Sequence, residues 1–412
     1  VTAAVHDLLV VGGGVAGLAM AIAADRARVP DIVVLEQRRQ SREVHKGEFL
    51  QPATLDVLDR WGIAAELEGK GALRLDGLEC RRADGRQLGG LSYRTLPHRL
   101  NYGLVHTHTV IRDTLLARAE QVADLRFGCH VTGVLTEGGR VVGVTVRRGG
   151  VSEDIRASLV VAADGANSTL RRQLGIPFTR VPYGHGYLGF DVDNPRLPPR
   201  AVNFVTTDGA RILYPMPGDR GRLYVQIPAQ QVSSARRLAP DERRAQLLAT
   251  CPGLDGVLAP WPELDSPQGF SAYRARAAEW VRPGVVLIGE AAHVMHPMAG
   301  QGMNTSIIDG WSLAAALERV AAPRRRSADG VDAALAAYTA SRMLEVTRTM
   351  QMSHRLARMC STTSRLGHRM LRFLLRPTPA TADLRLEAAA RLAGLENSPL
   401  GARSWARAVI GI

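Results

Sequence analysis

The sequence predicts an α/β fold: a Rossmann-like parallel-sheet domain, an inserted antiparallel sheet, and a helical C-terminal segment. Three observations predict it. Residues 6–38 read as strand, glycine loop, helix, strand, and further strand-to-loop elements follow at 158–176 and 289–304. Residues 180–275 break into short β-rich runs separated by Gly, Pro and Asp. At 412 residues there is room for two or three domains, and 46% hydrophobic with 22% charged residues is ordinary for a globular chain. The formal charge of +13 comes from arginines spread along the whole chain, with only Lys46 and Lys70 as lysines. That spread reads as compositional bias and not as a nucleic-acid face. Cys80, Cys129, Cys251 and Cys360 form no CxxC pair, as expected for reduced thiols in a cytoplasmic protein. No basic-then-apolar leader opens the chain, and no apolar run reaches the roughly 18 residues of a membrane span.

The opening unit is the most specific. Residues 8–11 are a continuous apolar run, as in a strand buried on both faces. Gly12, Gly14 and Gly17 follow in GxGxxG spacing, then an Ala-rich helix, then residues 32–35 ending in Glu36. Gly12 permits the turn, Gly14 lets a pyrophosphate approach the backbone, and Gly17 lets helix and strand pack closely. Glu36 is placed to accept hydrogen bonds from a ribose. Gly184, Gly186 and Gly189 repeat the spacing in "YGHGYLG", but no buried strand precedes them and no helix follows, so they are expected to be turn and sheet glycines. In the second element, residues 159–162 form a strand, Asp164 and Gly165 a turn, and Asn167 or Ser168 caps a helix. The third, "GEAAHVMHPMAGQGMN", spaces Glu290, His293 and His296 like metal ligands on a helix. Pro297 and the glycines after it break the helix that such a site would need, so no metal is expected.

This order of elements resembles the single-component flavoprotein monooxygenases of the p-hydroxybenzoate hydroxylase type, over about residues 6 to 345. The resemblance implies that Gly12, Gly14, Ala16, Gly17, Glu36 and Gln37 bind the adenosine and pyrophosphate of FAD, with Asp164 and Gly165 beside the pyrophosphate. Glu290 stands where the family usually has Asp, on the ribityl chain. Residues 300–304 (Gly300, Gln301, Gly302, Met303, Asn304) would then run along the pyrimidine edge, with Pro297 and Gly302 at the reacting ring. Arg42 and Lys46 compete for a phosphate-side position, and Arg112 matches a flavin-side arginine. "GEFLQPATLDVL" is similar to the lipophilic-substrate branch that includes the squalene epoxidases.

The implied activity is hydroxylation or epoxidation of an aromatic or lipophilic small molecule with FAD, NADH or NADPH, and molecular oxygen, through a flavin hydroperoxide. No second dinucleotide fingerprint is present, in keeping with transient nicotinamide binding. A reductase similar to the geranylgeranyl reductases and a non-catalytic FAD-fold binding protein are the alternatives; a halogenase lacks its WxWxIP segment. By the same resemblance the FAD-binding domain is assembled from 1–74, 106–179 and 276–340, the substrate domain from 75–105 and 180–275, and 341–412 is helical. Tyr214 and Gln226 are the candidate substrate contacts. Met352, Leu356, Met359, Leu366, Met370 and Phe373 make one apolar stripe, with Thr363 at the missing step and arginines beside it. Such a stripe packs on the protein body or touches a membrane surface.

Overall fold

The computed structural model describes residues 4–39, 47–193, 197–235, 239–259, 267–320, 324, 327–362, 364–376 and 378–396. Strand β1 (Val5–Val11), helix α1 (Val15–Arg26) and strand β2 (Ile32–Glu36) form the opening unit. Their sheet runs Val281–Arg282, Val285–Leu287, Val151–Ala162, β1, β2, Asp124–Phe127. From Val285–Leu287 across to Asp124–Phe127 every pairing is parallel, and Leu8 lies beside both Leu159 and Ile32. Residues 8–11 are buried without alternation because α1 packs on β1 and β2, the helix Gly302–Glu318 packs on α1, and apolar side chains fill the core around them.

The second sheet has eight strands, ordered His293–Val294, Gln268–Ala277, Phe178–Asp193, Arg220–Pro228, Gly209–Met216, Ala201–Thr206, Gly77–Arg82, Gln87–Ser92. All its pairings are antiparallel except Ala201–Thr206 with Gly77–Arg82. It alternates cleanly. Leu188, Phe190, Val192, Leu213, Leu223 and Val225 pack with Leu247, Leu254 and Leu258 on the outer face. Tyr187, Tyr224, Tyr214 and Phe270 lie on the other. A third, small sheet joins β3 (Phe49–Leu50) to Gly103–Val105 and Leu73–Leu75.

The C-terminal stripe is two stripes. One helix ends at Cys360 and the next begins at Arg365, and the break resets the helical phase. Met352, Leu356 and Met359 pack against apolar clusters of the body. Leu366, Met370 and Phe373 are exposed, because Leu371 and Leu375 face the body instead. Thr363 lies outside the described residues. Among the described residues, no helix is long and apolar enough to cross a membrane.

Candidate active site

The nucleotide loop is shaped by what a side chain would hit. A Cβ on Gly17 would lie 1.9 Å from the Gly12 carbonyl oxygen, and Gly12 has φ +113° with the Ala163 carbonyl against it. Both are demanded by the protein itself. Gly14 is different: it is exposed, and a Cβ there would meet nothing within 4 Å. It stands at the N-cap of α1, which has no side-chain cap, so no side chain of the protein occupies that helix end. An unblocked helix N-terminus beside a bare glycine suits a diphosphate. Glu36 Oε2 accepts from the Gly13 amide at 2.8 Å and Oε1 from the Arg38 amide at 2.8 Å, which fixes the carboxylate at the rim of the loop. Gln37 is exposed next to it.

Asp164 closes the second element. Its Oδ2 accepts from the Thr169 and Leu170 amides, and Ser168 is the side-chain cap on Arg171 N. That helix end is therefore filled by the protein, unlike α1. Burial pushes the Asp164 carboxyl up, although the Ser168 hydroxyl and the helix amides oppose this. Arg171, buried against the Phe178 ring at 3.7 Å, donates to the Ala166 and Ala291 carbonyls. It thereby ties the Asp164–Gly165 turn to the Glu290 turn.

Glu290 is half-buried in the 3-10 turn Gly289–Ala291. A Cβ on Gly289 would approach Ala16 Cβ to 2.8 Å, so Ala16 sets how near this turn comes to α1. Beneath it lies a fully buried knot. Asp309 accepts from Gly289 N at 2.9 Å, His293 Nε2 at 2.7 Å and Arg342 Nε at 2.7 Å. Burial raises the Asp309 carboxyl, but His293 and Arg342 outweigh it and hold it below the usual range. His293 thus faces Asp309, while His296 Nε2 faces His185 Nε2 at 2.9 Å. The three-residue spacing that resembled a metal site sends the two histidines to different partners.

The loop 297–302 is exposed at Pro297 and Gly302 and held everywhere else. His296 Nδ1 accepts from Met298 N, and Ser353 donates to the His296 carbonyl. Gln301 donates to the Leu392 carbonyl. Asn304 donates to the Phe49 and Gly300 carbonyls and accepts from Gln51 N. Gly300 has φ +59°, and Met303 lies against Gly47. Gly302 opens the helix Gly302–Glu318, which has no side-chain cap, and a Cβ there would meet nothing within 4 Å. The Gln301 and Asn304 side chains are thus turned into the protein, which leaves the loop backbone to present donors.

Above the loop, Met298 packs with Tyr183, Tyr187, Tyr224, Phe270 and Tyr214. Tyr214 and Tyr224 both donate to Glu48 Oε2, at 2.7 and 2.8 Å, and Arg222 Nη2 lies 3.1 Å from Glu48 Oε1. Burial pushes the Glu48 carboxyl up, with Arg222 and the tyrosines pulling it down. Gln226, in contrast, accepts from Ala210 N within the sheet and donates to the Ser361 carbonyl at the end of the helix Ala328–Cys360. Arg112 lies on the helix His108–Ala119, paired with Asp113 at 2.9 Å. Arg42 and Lys46 lie outside the described residues. Sequence reasoning missed Glu48, Arg171 and Asp309. Only Glu48 carried a signal, as an acid entering the apolar run of "GEFLQP".

Residues 6–353 match the FAD binding domain family. The chain belongs to this family. It is 30% identical over 371 residues to 6-methylpretetramide 4-monooxygenase of Streptomyces rimosus, covering 88% of this chain and 86% of the relative. It is 29% identical over 321 residues to para-nitrophenol 4-monooxygenase of Pseudomonas sp. (strain WBC-3), covering 75% and 77%. Among solved structures, a probable FAD-dependent monooxygenase from Pseudomonas aeruginosa matches with TM-score 0.78 at 25% identity, over 89% of this chain and 99% of that one. The chain is an FAD-dependent monooxygenase, with NAD(P)H as reductant. Neither the reductase nor the non-catalytic reading gains support. The open glycine at each uncapped helix end, Gly14 and Gly302, fits a ligand with a diphosphate at one end and an electron-accepting ring at the other.

Proposed function

We propose that this monooxygenase hydroxylates an aromatic ring held between the 297–302 loop and the aromatic face of the second sheet. One observation carries this reading. Met298 joins the loop to the Tyr187–Tyr224–Phe270 face while Pro297 and Gly302 beside it stay exposed, so an aromatic wall stands over the open loop. Flat rings gain from such walls through stacking and edge contacts. Two relatives reported above are named for oxygenation of para-nitrophenol and 6-methylpretetramide, in line with a ring substrate.

The residue roles follow the family pattern. Gly12, Gly14 and Gly17 let the FAD pyrophosphate reach the amides of α1, with Ala16 in the same turn, and Glu36 and Gln37 meet the adenosine ribose. Asp164 and Gly165 stand beside the pyrophosphate, Arg112 serves the flavin side, Arg42 or Lys46 the phosphates, and Glu290 the ribityl hydroxyls. The bound flavin supplies the redox chemistry that takes hydride from NAD(P)H and hands one oxygen atom on. The protein orients and excludes water: Gly302 N–H and its helix dipole stabilise negative charge at the ring edge, and Pro297 limits solvent access. Tyr214 and Tyr224, held as donors to Glu48, keep their oxygens as acceptors for a substrate O–H or N–H. The test is NAD(P)H oxidation across a set of phenols and matched benzoates. Phenols should accelerate it; equal indifference to every ring would sink the reading.

We propose a peripheral contact with anionic lipid as a second feature. Leu366, Met370 and Phe373 share one exposed stripe, with Arg369 and Arg372 also exposed on that helix. Leu366→Asp should abolish sedimentation with phosphatidylglycerol vesicles, and absence of binding by the unaltered enzyme would end the proposal.

A further inference from the structure

The stretch "YGHGYLG" is where the second sheet reaches down to the loop. Along Phe178–Asp193, pairing with Gln268–Ala277 jumps between Pro182 and Gly186, so residues 183–185 stand opposite Ala272 alone. Such a bulge re-aims a side chain. Gly186 allows it, because a Cβ there would press on the Phe270 carbonyl oxygen at 2.5 Å and Val232 Cγ2 at 2.7 Å. The side chain re-aimed is His185, whose Nε2 lies 2.9 Å from His296 Nε2.

Two like nitrogens at this distance need one proton between them, and the surroundings decide where it sits. His296 Nδ1 accepts from the Met298 amide, so it carries no proton. In a neutral ring the proton is then on Nε2 and points at His185. His185 Nε2 must be bare to accept it, which puts the His185 proton on Nδ1. We propose that His185 is a positioning residue for the 297–302 loop, locked to His296 in this single neutral tautomer pair. The proposal rests on the reading that this loop carries the flavin edge.

The surroundings favour neutrality. Burial pushes His296 down to about 3, helped by His185 and His354. Burial also lowers His185. Tyr183 packs edge-on to His296 at 4.5 Å and hydrogen-bonds His354 Nδ1, and Tyr187 packs edge-on to the same ring at 6.0 Å. The charged groups near the cluster are cations: Arg274 by Tyr183, and Arg274, Arg355 and Arg358 by His354. A proton added to His185 would leave two N–H groups facing each other and open the contact. The latch therefore joins the substrate-side sheet to the loop only while both rings are neutral, and it fixes the spacing between ring edge and aromatic wall.

Long-range proton–nitrogen spectra of the flavin-loaded enzyme, with labelled histidine, read the tautomers without turnover. His296 should appear as Nε2–H with a bare Nδ1 and His185 as Nδ1–H, unchanged between roughly pH 8 and pH 6.5. An Nδ1–H on His296 overturns the proposal. His185→Phe removes the acceptor, while His185→Gln supplies a carbonyl oxygen in its place. The Phe variant should release about fivefold more hydrogen peroxide per NAD(P)H oxidised, the factor for one neutral hydrogen bond, with FAD affinity within about twofold. The Gln variant should return most of the coupling. A Phe variant that couples like the unaltered enzyme also overturns the proposal. Because the spectra need no substrate, an error in the ring-hydroxylation reading would leave the tautomer assignment standing.

Discussion

The two ends of the candidate FAD site are built by opposite means. At residues 12–17 the protein makes room by omitting side chains, and the N-terminus of α1 is left without a side-chain cap. At residues 297–304 side chains from distant elements hold the backbone in place: Ser353, Gln301 to Leu392, Asn304 to Phe49 and Gln51, and His296 to His185. The first end needs only local geometry, so its tolerance to change is local. The second is over-determined from outside, so small losses there should show in coupling before they show in binding.

The sharpest contrast is within one motif. Gly17→Val would drive a side chain into the Gly12 carbonyl, a clash that neighbouring backbone cannot relieve, so the variant should fail to accumulate as folded protein. A Cβ on Gly14 meets no protein atom within 4 Å, so the FAD-free Gly14→Val protein should melt at the temperature of the unaltered FAD-free protein yet bind FAD about a hundredfold or more weakly. Equal stability of the two variants, measured by thermal denaturation, would break the distinction.

Next in size is the knot beneath Glu290. Asp309→Ala strands Arg342 and His293 in the core, and should cost about 3–5 kcal/mol in chemical denaturation. Acid sharpens this. Asp309 is held below its ordinary range, so its share of stability is complete above about pH 4 and is lost as pH falls through the lower folded value. His185 and His296 act at higher pH. Their folded values are depressed, so the unfolded chain takes up protons first and stability declines as pH drops below about 6.5. In His185→Phe that decline should be shallower; an unchanged slope would remove the pair from the account.

How legible each end was follows from the same contrast. The nucleotide loop could be read because glycine spacing, a buried strand and Glu36 are consecutive in the chain and each has one physical task. The roles of His293 and His296 could not, because their partners, Asp309 with Arg342 and His185, are 16, 49 and 111 positions away and only the fold brings them together. The sequence places Gln226 on the face it shares with Tyr224 but does not show the Ala210 amide and Ser361 carbonyl that it bonds. The C-terminal stripe misled for a simpler reason: a four-residue break at 361–364 restarts the helix at a new angle.

The remaining effect is smallest in binding and most direct in meaning. Gly302→Val should keep FAD, since a Cβ there would meet no other part of the protein within 4 Å, but crowd the ring edge. The measurement is turnover under labelled oxygen gas with an accepted phenol, following the label in product and in peroxide. The unaltered enzyme should place one labelled atom in each product molecule and the other in water. Gly302→Val should oxidise NAD(P)H with the label leaving chiefly as peroxide. Hydroxylated product without label from the gas, or a Gly302→Val variant as well coupled as the unaltered enzyme, would contradict the account.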